Sequence, residues 1–195
     1  MNFYKTFSKL FLKGFEKEGE MICRDCQPFV KMGAKILDLG CGNGIFSKKL
    51  KDFFQADLIG VDLQDRRVVN IPFKLVSGEN LPFADNTFDV VFINFLLHHT
   101  SDYKKVLTEA KRASRGKIII YEDLKENFID DVSFILHKFT YKLFFRPYNL
   151  IVSFKSEREW EEIFKNLGLK ILSKKKAPSI MPFDLRNRKQ LILNK

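Results

Sequence analysis

The stretch KILDLGCGNGIFSKKL, residues 35–50, decides the fold. A short apolar run is followed by glycine at every second position, Gly40, Gly42 and Gly44, and then by an amphipathic segment. Glycine costs conformational entropy and is poor inside strands and helices. Three so close together mark a sharp turn, or a place where a ligand must approach bare backbone. KILDL therefore reads as a buried strand. IFSKKLKDFF (45–54), with apolar residues at 45, 46, 50, 53 and 54, reads as a helix.

The same alternation continues outward. DLIGVDL (57–63) and FKLVS (73–77) read as strands, joined by a connection of about ten residues, long enough for a short crossover helix. TFDVVFINFLL (87–97) is a strand apolar on both faces. SDYKKVLTEAKRAS (101–114) reads as a helix opened by a Ser101 cap, and GKIIIYED (116–123) as a fifth strand. SEREWEEIFKNLG (156–168) is a capped helix stopped by Gly168. LKILSKKK (169–176) and RKQLILNK (188–195) close the chain as an antiparallel pair of strands. Strands alternating with helices predict a three-layer, Rossmann-like α/β domain around a mostly parallel sheet, with helices on both faces.

The 195 residues suit a single domain, 1–195, with 1–34 as an N-terminal helical cap and 124–155 as a lid-like helical insertion. No apolar run reaches the ~18 residues of a membrane span, and Lys5, Lys9 and Lys13 break the N-terminal segment where a signal peptide would be apolar. The expected location is cytoplasmic. Cys23, Cys26 and Cys41 are too few for a disulfide framework. CRDC (23–26) lacks the second ligand pair of a zinc site, so no metal is expected. The formal charge of +10 invites nucleic acid, but Lys outnumbers Arg 25 to 9, against the Arg-rich surfaces that read bases.

In an open α/β sheet, ligands bind beyond the carboxyl ends of the strands, where strand order reverses. GCGNG runs GxGxG, unlike the GxGxxG of dinucleotide sites, with Ile45 where a further glycine would stand. Asp62 ends the second strand 22 residues after Gly40. A carboxylate there can accept hydrogen bonds from both hydroxyls of a ribose.

Taken together, LDLGCGNG, GVDL, SGENLPFADNTFDVVFINFLLHH and SEREWEEIFKNLGLKIL resemble a class I S-adenosylmethionine-dependent methyltransferase. The pattern is similar to the small-molecule branch, which includes quinone-biosynthesis methyltransferases. The resemblance covers residues 35–122 and, more loosely, 156–195. It implies a seven-stranded sheet with an antiparallel last strand, and S-adenosyl-L-methionine as cofactor. Asp38 and the Gly40–Gly44 turn would hold the methionine moiety, Asp62 the ribose, and Glu79–Phe83 would border the adenine with Leu81 packing near it. Asn94 would lie near the donor's amino acid end. The implied cofactor set is Asp38, Gly40, Cys41, Gly42, Gly44, Asp62, Leu63, Ser77, Gly78, Glu79, Asn80, Leu81 and Asn94. Ser77 stands where relatives carry an acid for the adenine amine; a hydroxyl accepts that bond more weakly than a carboxylate.

Methyl transfer from a sulfonium needs mainly alignment and exclusion of water. A base enters only if the acceptor must lose a proton. His98 and His99 follow the fourth strand and Glu122 and Asp123 end the fifth, so His98, His99 and Glu122 are the catalytic candidates, beside readings as loop hydrogen-bonders and helix caps. His137 reads as a surface or lid residue. NFLL (94–97) replaces the Asn-Pro-Pro-aromatic tetrad of enzymes acting on planar base amines, which argues against DNA.

Phe3, Phe7, Phe11 and Phe15 alternate with Lys5, Lys9 and Lys13 on opposite faces of a predicted helix. Residues 126–145 place Phe128, Val132, Ile135, Phe139 and Leu143 along one side. Both segments are expected to cover the acceptor pocket, with Phe128, Ile135 and Phe139 lining it near His98; contact with a membrane surface and dimerisation are the other uses. The expected acceptor is small and apolar or lipid-like. The alternatives are an RNA or protein methyltransferase, or an S-adenosylmethionine-binding adaptor without turnover.

Overall fold

A computed structural model describes residues 6, 8, 10–126, 130, 135, 153–178 and 187–195. Seven strands form one sheet: β1 (Lys35–Leu39), β2 (Asp57–Asp62), β3 (Phe73–Leu75), β4 (Phe88–Asn94), β5 (Ser114–Leu124), β6 (Lys170–Lys176) and β7 (Asn187–Asn194). Their order is β3-β2-β1-β4-β5-β7-β6. β7 runs antiparallel to both its neighbours and the other pairings are parallel. The chain builds β2 and β3 on one side of β1 and then returns to place β4 on the other. This reversal opens a crevice at the carboxyl ends of β1 and β4.

The described helices are α1 (Leu12–Cys26), α2 (Ile45–Phe54), α3 (Tyr103–Ala113) and α4 (Glu157–Asn166). Alternation along the strands divides the core in two. Leu37, Leu39, Val91, Ile93, Ile118 and Ile120 pack against α3 and α4, where Val106, Leu107, Ala110, Trp160 and Phe164 are buried. Ile36, Val90, Phe92, Ile119 and Tyr121 face the other way, against Ile22, Cys23 and Cys26 of α1 and Leu50 and Phe54 of α2. A register shift between Phe88 and Val90 brings Phe88 onto the α3 face with Val91. Gly19 permits the close α1–α2 approach: a Cβ there would stand 3.1 Å from Cγ of Lys49.

Three local expectations change. Asp102 caps α3, accepting from Lys105 N, and Ser101 instead donates to Glu79. Asp102 reaches the free N–H groups from one position closer to the first turn. Residues 63–72 contain no helix; the connection is held by Arg67, which donates to Asp65 and to the Ile71 carbonyl. β4 stops at Asn94, because Phe95 turns to φ +50 and cannot continue an extended strand. Ser156 and Glu159 form the reciprocal cap at the start of α4.

Candidate active site

The glycines of residues 40–44 all take positive φ: Gly40 +83, Gly42 +54 and Gly44 +77. L side chains pay heavily for this region, so the turn leaving β1 requires glycine. At Gly40 the requirement is double, because a Cβ would lie 2.8 Å from Leu96 Cδ1, in the segment leaving β4. The turn is then closed by side chains on either side. Asn43 Oδ1 accepts from Ile45 N at the start of α2, and Asp62 Oδ2 accepts from Gly42 N over 2.9 Å.

Above this turn lies a cavity of about 580 Å³ at the carboxyl edge of the sheet. Of the expected cofactor set, Asp38, Gly40, Cys41, Gly42, Asp62, Leu63, Ser77, Gly78, Glu79 and Asn94 line it. Gly44, Asn80 and Leu81 do not. Gly44 faces Val69, Arg67 and Ile71 on the far side of the turn, and Leu81 is buried in the α3-side core with its N–H donated to Glu109. Asn80 is exposed, its N–H bonded to the Ser77 carbonyl.

Asp38 stands near the carboxyl end of β1, on the cavity wall. It is buried, Oδ2 accepts from Ser47 Oγ at 2.5 Å, and Oδ1 finds no partner among the described residues. Burial, aided by the charge of Asp62, pushes its pKa up to about 7 against the pull of the Ser47 hydrogen bond. Asn94 Oδ1 is likewise buried without a partner among the described residues. Two orphaned acceptors on one cavity wall fit a ligand with N–H donors, above all an ammonium. Asp62 also accepts from Gln64 N and lies 3.5 Å from Arg66 Nη2. Ser77 Oγ accepts from Glu79 N, and Glu79 accepts from Ser101.

The catalytic candidates separate. His99 lines the cavity, whereas His98 and Glu122 are buried behind it. His98 Nδ1 is paired with Glu122 Oε1, and Glu122 also accepts from the N–H groups of Leu97 and Asp123. Desolvation draws the His98 pKa down, but Glu122, with Asp123 behind it, outweighs it and the net direction is up. The dyad therefore anchors the turn Leu97–His99 that presents His99 to the cavity.

Beyond Phe15, most of the remaining wall was not named from the sequence. α1 contributes Phe15, Glu18, Gly19 and Ile22, α2 contributes Ile45 and Phe46, and Arg188 enters from β7. Phe15 was legible from its four-residue repeat, while Arg188 had no local signal. Phe11 is exposed, and Phe3 and Phe7 lie outside the described residues. Phe128, Phe139 and His137 also lie outside them. Ile135 is 69% exposed and does not line the cavity, contrary to expectation; Phe15, from the expected N-terminal row, and Ile22 form apolar wall. Cys23 and Cys26 are buried in α1, where desolvation raises both thiols, Cys23 to about 12.

Residues 12–174 match the methyltransferase domain family. Among curated proteins the chain is 30% identical over 167 residues to a ubiquinone/menaquinone biosynthesis C-methyltransferase of Haemophilus ducreyi, covering 77% of this chain and 64% of that protein. It is 35% identical over 102 residues to a demethylmenaquinone methyltransferase of Paenarthrobacter aurescens, covering 48% of this chain and 40% of that protein. The chain thus spans less than two thirds of the length of either relative. A methyltransferase solved in complex with the Trm112 activator of Haloferax volcanii shares the fold, with TM-score 0.73, 16% identity and coverage of 100% of this chain and 97% of that one.

Proposed function

The chain belongs to the class I S-adenosylmethionine-dependent methyltransferase family, and on that premise we propose that it transfers a methyl group from S-adenosylmethionine to a small, apolar or lipid-like acceptor. The observation that carries the reading is a pair of buried acceptors without a partner among the described residues, Asp38 Oδ1 and Asn94 Oδ1, on the cavity wall above a glycine turn tied to Asp62. Leaving a buried acceptor unsatisfied costs about 1–3 kcal/mol each, and a bound ammonium would satisfy both. Asp38 and Asn94 would hold the donor's amino acid end, Asp62 its ribose hydroxyls, and Ser77, Gly78 and Glu79 its adenine side. Bound there, the donor supplies an electrophilic methyl on a sulfonium.

The chain's own residues do the rest by positioning. Phe15, Ile22, Phe46 and Leu96 give the cavity an apolar wall that excludes water from the transfer zone. His99 is the cavity's imidazole and the group suited to hold a proton released by a hydroxylated acceptor. His98 and Glu122 act through it by fixing its turn. The names of the two curated relatives favour a quinone-like acceptor. Among the described residues no helix is long and apolar enough to cross a membrane. The three free, buried thiols suit a reducing cytoplasm, where the reading sets the reaction.

Incubation with methyl-labelled donor and separated lipid, small-molecule, RNA and protein fractions of a cell extract tests the proposal. Label in the lipid or small-molecule fraction is expected, with demethylated menaquinol as the defined acceptor to try first. Label in RNA or protein would overturn the acceptor class. Donor binding without transfer to any fraction would leave an adaptor.

A further inference from the structure

The carboxyl ends of four strands meet along the cavity in the order β3-β2-β1-β4. Asn94 ends β4, Asp38 belongs to β1, Asp62 ends β2, and Ser77 follows the end of β3 by two residues. A donor with its ammonium at Asp38 and Asn94 and its ribose at Asp62 runs along this row, so its base reaches the turn past β3. That turn is pinned from several sides. Ser77 Oγ accepts from Glu79 N over 3.2 Å, and the Ser77 carbonyl accepts from Asn80 N. A Cβ at Gly78 would stand 2.8 Å from Leu39 Cδ2, so the turn lies directly on the end of β1. Leu81 N donates to Glu109, and the Leu81 carbonyl accepts from Arg112.

Two polar side chains of the turn line the cavity, and they are engaged differently. Glu79 is turned to the exposed rim, where its Oε1 accepts from Ser101 Oγ over 2.9 Å. Ser77 Oγ accepts from Glu79 N, and among the described residues its O–H donates to none. Its oxygen keeps a second lone pair and its proton rotates. An ionised carboxylate at such a place only accepts, whereas a hydroxyl accepts from an amine or donates to an oxygen. We propose that Ser77 reads the 6-position of the donor's purine as a hydroxyl of either polarity, so that the site takes a purine with an oxygen acceptor there about as readily as adenine. The inference rests on the methyltransferase reading and goes further, naming the residue that sets the donor's base tolerance.

The test titrates the full chain, by calorimetry, with S-adenosylhomocysteine and with its 6-methoxypurine analogue. The analogue turns the 6-position from donor to acceptor and leaves the neighbouring ring nitrogen an acceptor in both compounds. The wild type is expected to bind the two within about threefold, because one neutral hydrogen bond replaces another. Ser77→Asp keeps an acceptor for Glu79 N and is expected to prefer the adenine compound by about tenfold or more, since two acceptors then face each other in the analogue. Ser77→Ala is expected to weaken both compounds alike, by about three- to tenfold, and serves where Ser77→Asp does not fold. A larger wild-type preference for adenine, an unchanged ratio in Ser77→Asp, or wild-type affinities in Ser77→Ala would overturn the inference. Failure of S-adenosylhomocysteine to bind the wild type would overturn the proposed function and this inference with it; its binding while the analogue fails to bind would overturn the inference alone.

Discussion

The backbone N–H of Gly42 donates to Asp62 Oδ2 over 2.9 Å, so the carboxylate that ends β2 also holds the turn leaving β1. Asp62→Ala would remove the proposed ribose contact and a support of the glycine turn together. S-adenosylhomocysteine affinity should fall by about 10- to 150-fold, the equivalent of about 1.5–3 kcal/mol for hydrogen bonds to a charged group. Calorimetry checks it; an affinity within twofold of wild type would remove Asp62 from the site.

Gly40 and Gly33 separate strain from crowding. Both have positive φ, +83 and +71, but a Cβ at Gly33 would meet nothing within 4 Å, whereas one at Gly40 would strike Leu96. Gly33→Ala should cost about 1 kcal/mol from backbone conformation. Gly40→Ala should cost clearly more and weaken donor binding. Denaturant unfolding of both variants, with calorimetry, checks the order.

Asp38 makes the ligand-free chain sensitive to pH. Its folded pKa, about 7, lies above the unfolded value, so its contribution to stability is full below about pH 4 and lost as pH rises to 7. Across that window wild-type stability should lose about 1.4 kcal/mol per pH unit from this group, a slope absent in Asp38→Asn. The ammonium-binding form is the ionised one, so donor affinity should rise through pH 7 and the variant should bind donor poorly. Unfolding and calorimetry at pH 5 and 8 measure both.

The His98–Glu122 pair also loses its contribution as pH rises, but has no share in donor binding. His98 is raised above its unfolded value of about 6.5, so the pair's contribution is full below that pH and lost as pH rises through the folded pKa. Glu122→Gln should therefore destabilise more at pH 6 than at pH 9, while donor affinity changes little because neither residue lines the cavity. Equal destabilisation at both pH values would contradict a His98 raised by Glu122.

The glycine turn and the acid beside it were legible because their signals are local: Gly40 to Gly44 follow a strand, and Asp62 ends the next. The seven strands came with the resemblance, and its antiparallel last strand agreed with the closing pair already read at residues 169–195. What stayed hidden depends on contacts distant in sequence. Nothing near Arg188 reveals that it meets Glu18, 170 positions away. Adjacent histidines give no sign that one would be buried on Glu122 and the other turned to the cavity. The Ser101 cap failed because Asp102, one residue on, offers a carboxylate to the same free N–H groups.

A cavity built for S-adenosylmethionine should take that compound and its demethylated product in preference to a dinucleotide. Isothermal titration of the wild-type chain with S-adenosylmethionine, S-adenosylhomocysteine and NAD tests it most directly. One-to-one binding of the first two and much weaker binding of NAD are expected. Tighter binding of NAD, or no binding of either sulfur compound, would contradict it.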